Sequence, residues 1–257
     1  MSTPIDVLAL SPQRTSTSEL LADAARARGA AVRVIDPAGL RPGTDEQAAY
    51  YGGPIFGARI ASALDIALLA PADDFLQTLP PELAGRRIEA MSAAEARRLP
   101  RPFFAKPPTD KSFDAGVFSD GSRLPVLPPD TLVQVSEVVT FAEEHRLFLL
   151  DGAVHAASRY ARFGHLDAAP ASADALAFGK EAAARTTGLL PSAVVLDVGL
   201  ISDPDTGVEQ WAVVEANMAW FAHSYTADPD RVLDVVIAAA GPRSAVRDAD
   251  LRFVAEH

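Results

Sequence analysis

Residues 211–225, WAVVEANMAWFAHSY, carry the stretch on which the reading of the fold turns. An apolar run, WAVV, stops at Glu215, passes one small residue and reaches Asn217. In an extended strand, residues two apart share a face. A carboxylate and an amide oxygen would therefore stand side by side at the end of a buried segment. Such a pair is either the polar edge of a turn or half of a site for a hard cation.

The preceding strand-like segment, AVVLDVGLIS at 193–202, supplies a second acid. Asp197 interrupts an otherwise continuous apolar run, and an unpartnered carboxylate buried there would be costly. The turn DPDTG at 203–207 folds the two segments into a hairpin and brings Asp197 and Glu215 to the same end of adjacent antiparallel strands. Two acids held close without a cation repel each other. With Asn217 they offer three hard oxygen donors, the type that Mg²⁺ prefers; hydrogen bonding to turn amides is the plainer use of the same groups.

Working back toward the N-terminus, basic residues recur at strand ends. Lys106 closes the short apolar strand PFFAKP. On its own it reads as a solvent-facing lysine, and beside a phosphate it reads as a point charge. Lys111 follows in KPPTDKSFDAG, a loop with a single glycine, Gly116, and hence a poor match to a glycine-rich phosphate loop. In EEHRLFLLDGAVHAASRY, Asp151–Gly152 is a favoured two-residue hairpin turn, and it sets Arg146 and Arg159 on neighbouring strands. These guanidinium groups either pair with nearby acids such as Glu143 and Glu144 or grip a carboxylate or acyl phosphate.

The rest of the chain bounds the class. The first hundred residues open as strand, helix and strand (IDVLALS, ELLADAARARG, AVRVID), which predicts a small parallel sheet. LRPGTDEQAAYYGGPIFG gives no assignment, while ARIASALDIALLA and DDFLQTLPPELAG read as helical with breaks at Pro71 and Pro80–Pro81, and SAAEARRL as helix-like. A Pro-flanked region at Pro100 and Pro102 is the expected boundary between an α/β region at 1–100 and an α+β region at 101–257. The helices SADALAFGKEAAARTTG and DPDRVLDVVIAAAG follow, the first capped by Ser172 and stopped at Gly188. The 257 residues are 49% hydrophobic and 22% charged, an ordinary globular balance. A net charge of −11 argues against a nucleic-acid partner. The absence of cysteine excludes disulfides and thiolate chemistry. No signal-peptide pattern or membrane-length apolar run is seen, so a cytoplasmic protein is expected. The five histidines show no metal-ligand spacing, and no serine-hydrolase elbow is present.

Taken in order, these pieces resemble an ATP-grasp protein over residues 101–225: FFAKP, then LVQVSEVVTF, EEHRLFLLDG, VVLDVGL and VVEANMAW. The similarity extends to a short clade of that family with a lysine pair. The resemblance implies ATP held between two α+β subdomains, preceded by a reduced substrate region. Lys106, assisted by Lys111, would contact the phosphates. The backbone around Glu137, Val138 and Val139 would meet adenine, and Glu144 the ribose. Asp197, Glu215 and Asn217 would hold Mg²⁺, and Arg146 with Arg159 would stabilise the transferred phosphoryl group or the acyl phosphate. Such proteins join a small-molecule or peptide carboxylate to an amine and release ADP and phosphate. Two alternatives stay open: a non-catalytic nucleotide-binding module, and a phosphotransferase on the same fold. Trp220 and Phe221 are expected in core packing, with an acceptor pocket as their other use.

Overall fold

A computed structural model describes residues 4–35, 46–108, 113–203 and 206–255. The chain opens with β1 (Val7–Leu10), α1 (Ser16–Ala27), β2 (Ala31–Val34), β3 (Ala48–Tyr51) and α2 (Pro54–Leu64). The strands form a three-stranded parallel sheet in the order β2-β1-β3. Thr15 caps α1 in a reciprocal box with Ser18, so the Ser/Thr cluster does start the helix. β3 falls in the stretch that gave no assignment, because AAYY is fully buried and carries none of the alternation that marks a half-exposed strand.

The helix expected over ARIASALDIALLA is instead α2, which stops at Leu64 with Asp65 in the left-handed region (φ 50°). Ile66–Leu69 then runs extended and buried, bridged to Pro242 and Val254. DDFLQTLPPELAG yields only a 3₁₀ turn at Phe75–Thr78 and one turn of helix, α3 (Pro81–Ala84), since Pro80 and Pro81 deny a longer helix its backbone donors.

A second, antiparallel sheet of order β4-β7-β5-β6 comprises β4 (Ile88–Ser92), β5 (Phe103–Lys106), β6 (Gly116–Phe118) and β7 (Leu132–Ser136), with the one-turn helix α4 (Ala93–Ala96) after β4. Ile88 pairs with Ser136 and Ser92 with Leu132. A division of the chain at residue 100 therefore passes between two strands of one sheet.

The third sheet is the largest. Its order is β10-β9-β8-β11-β12, built from β8 (Phe141–Leu150), β9 (Ala153–Arg162), β10 (His165–Ala169), β11 (Ala193–Ser202) and β12 (Glu209–Asn217). Asp151 and Gly152 take φ of 53° and 74° in the β8–β9 turn, as the Asp-Gly dipeptide predicts. Helix α5 (Ala173–Arg185), capped by Ser172, covers one face of this sheet. Helix α6 (Pro229–Ala239) covers the other and also packs on the parallel sheet: Leu8, Tyr50, Phe148, Val195 and Val236 share one core. Trp220 is buried in that core, with its indole N–H donating to the Leu69 carbonyl at 2.8 Å, whereas Phe221 is partly exposed. Among the described residues no helix is long and apolar enough to cross a membrane.

Candidate active site

Backbone register builds the site. On β8, β11 and β12, Arg146, Asp197 and Glu215 are mutual cross-strand partners and form one rung across the sheet. Simple alternation would not have aimed Glu215 correctly. Trp211 and Val213 face α5, so Glu215, two residues on, should face α5 as well. The register slips at this point: Asp197 pairs with Glu215 but Val198 with Val213, leaving Val214 as an extra residue. This β-bulge turns Glu215 and Asn217 to the face of Asp197. Arg86 holds it in place, donating through Nη1 to the Val213 carbonyl (2.8 Å) and through Nη2 to the Val214 carbonyl (3.1 Å). Those carbonyls lie on the outer edge of β12, which would otherwise lack partners. Close docking of the segment requires Gly85 (φ 65°), where a Cβ would come within 2.6 Å of the Ala212 Cβ.

A second bulge serves the neighbouring strand pair. Glu144 pairs with Ala161 and His145 with Arg159, so Tyr160 is the extra residue of β9. Its hydroxyl donates to Glu144 Oε2 at 2.8 Å, and its ring stacks on Tyr225. The Arg146 guanidinium lies 5.4 Å from the Tyr160 ring centre and 5.6 Å from that of Tyr225.

The hydrogen bonds within the rung are closed on themselves. Arg146 forks onto the fully buried Asp197, Nε to Oδ1 at 2.9 Å and Nη2 to Oδ2 at 2.7 Å. Asn217 Nδ2 donates to Asp197 Oδ2 (3.2 Å) and to Glu215 Oε1 (2.8 Å). Lys106, reaching across from β5, donates to Glu215 Oε2 at 3.2 Å. Two carboxylates thus face two cations, with an amide between them.

Electrostatics follow from this burial. Burial pushes the Asp197 carboxyl up from its ordinary value, against the pull of Arg146. Burial works against the Arg146 charge too, but the Asp197 carboxylate more than offsets it and the guanidinium pKa is raised. For Glu215, burial is outweighed by Lys106 and Asn217, and its pKa is lowered. Glu144 is raised by burial and by the fields of Asp197 and Glu215, although Tyr160 opposes the shift. Arg86 is pulled down to about 10 by burial and still carries its charge at neutral pH.

Two cavities meet at the Glu215 end of this rung. One, of about 220 Å³, lies between the second and third sheets, walled by Leu76, Phe104, Val117 and Val214 and bordered by Glu137–Val139, Arg86 and Glu144. The other, of about 240 Å³, lies against Ala70–Asp73, Pro108, Asn217 and Met218. Leu76, Lys106, Gln134 and Glu215 line both. The structure thus brings together Lys106, Arg146, Asp197, Glu215 and Asn217, with Glu137, Val138, Val139 and Glu144 around the first cavity. Arg159 does not join them: its Nη2 donates to Asp167 Oδ2 on β10 at 3.0 Å. Lys111 lies outside the described residues. Reasoning from sequence missed Arg86, Gln134, Tyr160 and Tyr225. The first two sit on elements whose pairing the sequence does not display, and Tyr160 owes its direction to a bulge.

The family model described as an ATP-grasp domain of the R-2-K clade, family 2, matches residues 83–235, more than half of the chain. The chain belongs to this ATP-grasp family. The solved structures agree on fold. A RimK domain ATP-grasp protein from Sphaerobacter thermophilus superposes on 91% of this ATP-grasp chain and 98% of its own at 15% identity, with a TM-score of 0.60. N5-carboxyaminoimidazole synthetase from Staphylococcus aureus does so over 95% and 80% at 11% identity and 0.61. The ATP-grasp ligase PsnB, complexed with precursor peptide PsnA2 and AMPPNP, covers 93% and 99% at 14% identity and 0.51. No curated protein sequence matches. The family match starts at residue 83 and so takes in Arg86 and β4, ahead of the expected boundary.

Proposed function

We propose that this ATP-grasp protein is an ATP- and Mg²⁺-dependent carboxylate–amine ligase that works through an acyl phosphate. The observation that carries the reading is the rung Arg146–Asp197–Glu215, joined by Asn217 and Lys106 where the two cavities meet. The apolar walls of the first cavity suit a flat base, and Val138 and Val139 make no backbone hydrogen bond among the described residues, leaving an edge for adenine. Glu144 would meet the ribose.

The donor set fits magnesium: Asp197, Glu215 and Asn217 offer hard oxygens, and Lys106, now paired with Glu215, is the cation a polyphosphate would draw away. Bound there, the metal would neutralise charge developing on the phosphate oxygens. Lys106 would move its charge from Glu215 to phosphate, with Lys111 assisting from the adjoining loop. Arg146 stays anchored on Asp197 and presents its remaining N–H groups to the transferred phosphoryl group. A carboxylate substrate in the second cavity would attack the γ-phosphorus and release ADP. The amine would then displace phosphate from the resulting acyl phosphate and lose a proton as the amide forms. Enclosure between the sheets would keep water from that intermediate. A dependence on ATP assigns the protein, in this reading, to the cytoplasm.

The paired state of the rung makes the test selective. Metal alone has to displace Lys106 without offering it another anion, so Mg²⁺ alone should leave the melting temperature unchanged. ATP with Mg²⁺ at about a hundred times its dissociation constant adds roughly 2.7 kcal/mol, about 5–10 °C for a chain of this size. ATP with EDTA should give a much smaller rise. An amine-dependent release of ADP that disappears in Asp197→Asn then completes the case. Equal shifts with and without metal, or turnover retained in that variant, would refute the site.

A further inference from the structure

Gln134 stands apart from every other polar group around the cavities. It is a β7 residue only 4% exposed, paired through the backbone with Lys106 and lying with it between the two cavities. Among the described residues its side-chain carboxamide has no hydrogen-bond partner, whereas Ser136 donates to the Glu137 carbonyl and Glu144 accepts from Tyr160. The one buried side-chain polar atom without a partner among the described residues is His145 Nδ1, so the Gln134 amide opens on the cavities, where a ligand can reach it. A sequence that only had to fold would place leucine or methionine at this position, as it places valine at 133 and 135 on the opposite face. The amide is therefore held for a ligand.

The chemistry of that ligand follows from the amide itself. A carboxamide presents one acceptor oxygen and one donor NH₂ side by side, in a plane that rotates about the last side-chain bond. The matching partner is planar and offers an adjacent donor and acceptor. Adenine does so along its N6–H and N7 edge, the bidentate pairing by which Gln and Asn recognise it. Guanine offers two acceptors there, O6 and N7, so one half of the pair would become acceptor against acceptor. The cavity supplies the remaining conditions, with Phe104 and Val214 as walls for a flat ring and an unpaired backbone edge at Val138–Val139.

We infer that Gln134 is the base-reading residue of this protein, pairing with the N6/N7 edge of adenine and setting the preference for ATP over GTP. The inference rests on the nucleotide reading of the first cavity. It gives Gln134 a role that packing does not provide.

The test uses the full chain and calorimetric titration with AMPPNP and GMPPNP in the presence of Mg²⁺. Gln134→Met keeps the length of the side chain and removes the unsatisfied amide. It should melt no lower than the parent without nucleotide, yet lose the ratio of adenine to guanine affinity by about tenfold or more. Gln134→Leu, which neither donates nor accepts, should also lose that ratio, and a folded Leu variant keeps the test open if methionine perturbs the sheet. A parental ratio retained in the folded variants would overturn the role of Gln134 while leaving the cavity as a nucleotide site. Failure of the parent to bind either nucleotide would overturn both.

Discussion

Replacing Arg146 with methionine isolates the energetics of the central rung. Asp197 is fully buried and takes two of its three side-chain hydrogen bonds from Arg146, at 2.7 and 2.9 Å. Without the guanidinium only the Asn217 amide, 3.2 Å away, still faces the carboxylate. Stripping one partner from a buried ion pair costs about 3–5 kcal/mol, chiefly because the other charge is stranded. For a chain of this size that is on the order of 10 °C in melting temperature. The loss should depend on pH. Burial raises the Asp197 pKa in the folded state, so the folded form holds its proton more tightly than the unfolded one. The deficit of the variant is therefore small below the unfolded carboxyl value, about pH 4, and grows as pH rises through the folded value. Urea unfolding of parent and variant at several pH values, each at fixed ionic strength, measures this directly. Adding Asp197→Leu to Arg146→Met removes the stranded charge and should recover most of the stability at neutral pH. A deficit that ignores pH, or that persists in the double variant, would show that Arg146 acts through packing on Tyr160 and Tyr225 instead.

Glu144→Gln should raise the melting temperature at neutral pH. Burial lifts the folded pKa of Glu144, so its contribution to stability is present below the unfolded value and is lost as pH rises through the folded one, while glutamine still accepts from Tyr160; a lower melting temperature at neutral pH would contradict this. Arg86→Met should cost roughly 2 kcal/mol by orphaning the carbonyls at the Val214 bulge and should weaken the metal dependence of the nucleotide-induced thermal shift, because Glu215 then loses the support that aims it. Unchanged metal dependence in a folded Arg86→Met would separate the bulge from metal binding.

Local chemistry made much of this protein legible. Asp197 within an apolar strand, the Glu-x-Asn ending of the next, the Asp-Gly hairpin and the lysine closing FFAKP are all local signals, set by backbone period and by the cost of burying charge. They identified the hairpins and set Asp197 beside Glu215, whereas the pairing of Arg146 with Asp197 came from the structure. Other features depend on contacts between distant segments. β3 and β4 are too buried or too short to show a pattern, and each exists because another strand pairs with it, β1 in one case and β7 in the other. Arg159 carries the same signal as Arg146, but the register shift at His155 sets it opposite His145, off the face of Arg146, and it pairs with Asp167. Glu215 reaches the site only because Val214 bulges, and the bulge is held by Arg86, more than a hundred residues earlier in the chain. Candidates for the site were thus legible in the sequence alone, since it fixes their chemistry and spacing. Which way they point was decided by tertiary structure, because one extra residue in a ladder reverses the facing of every side chain beyond it.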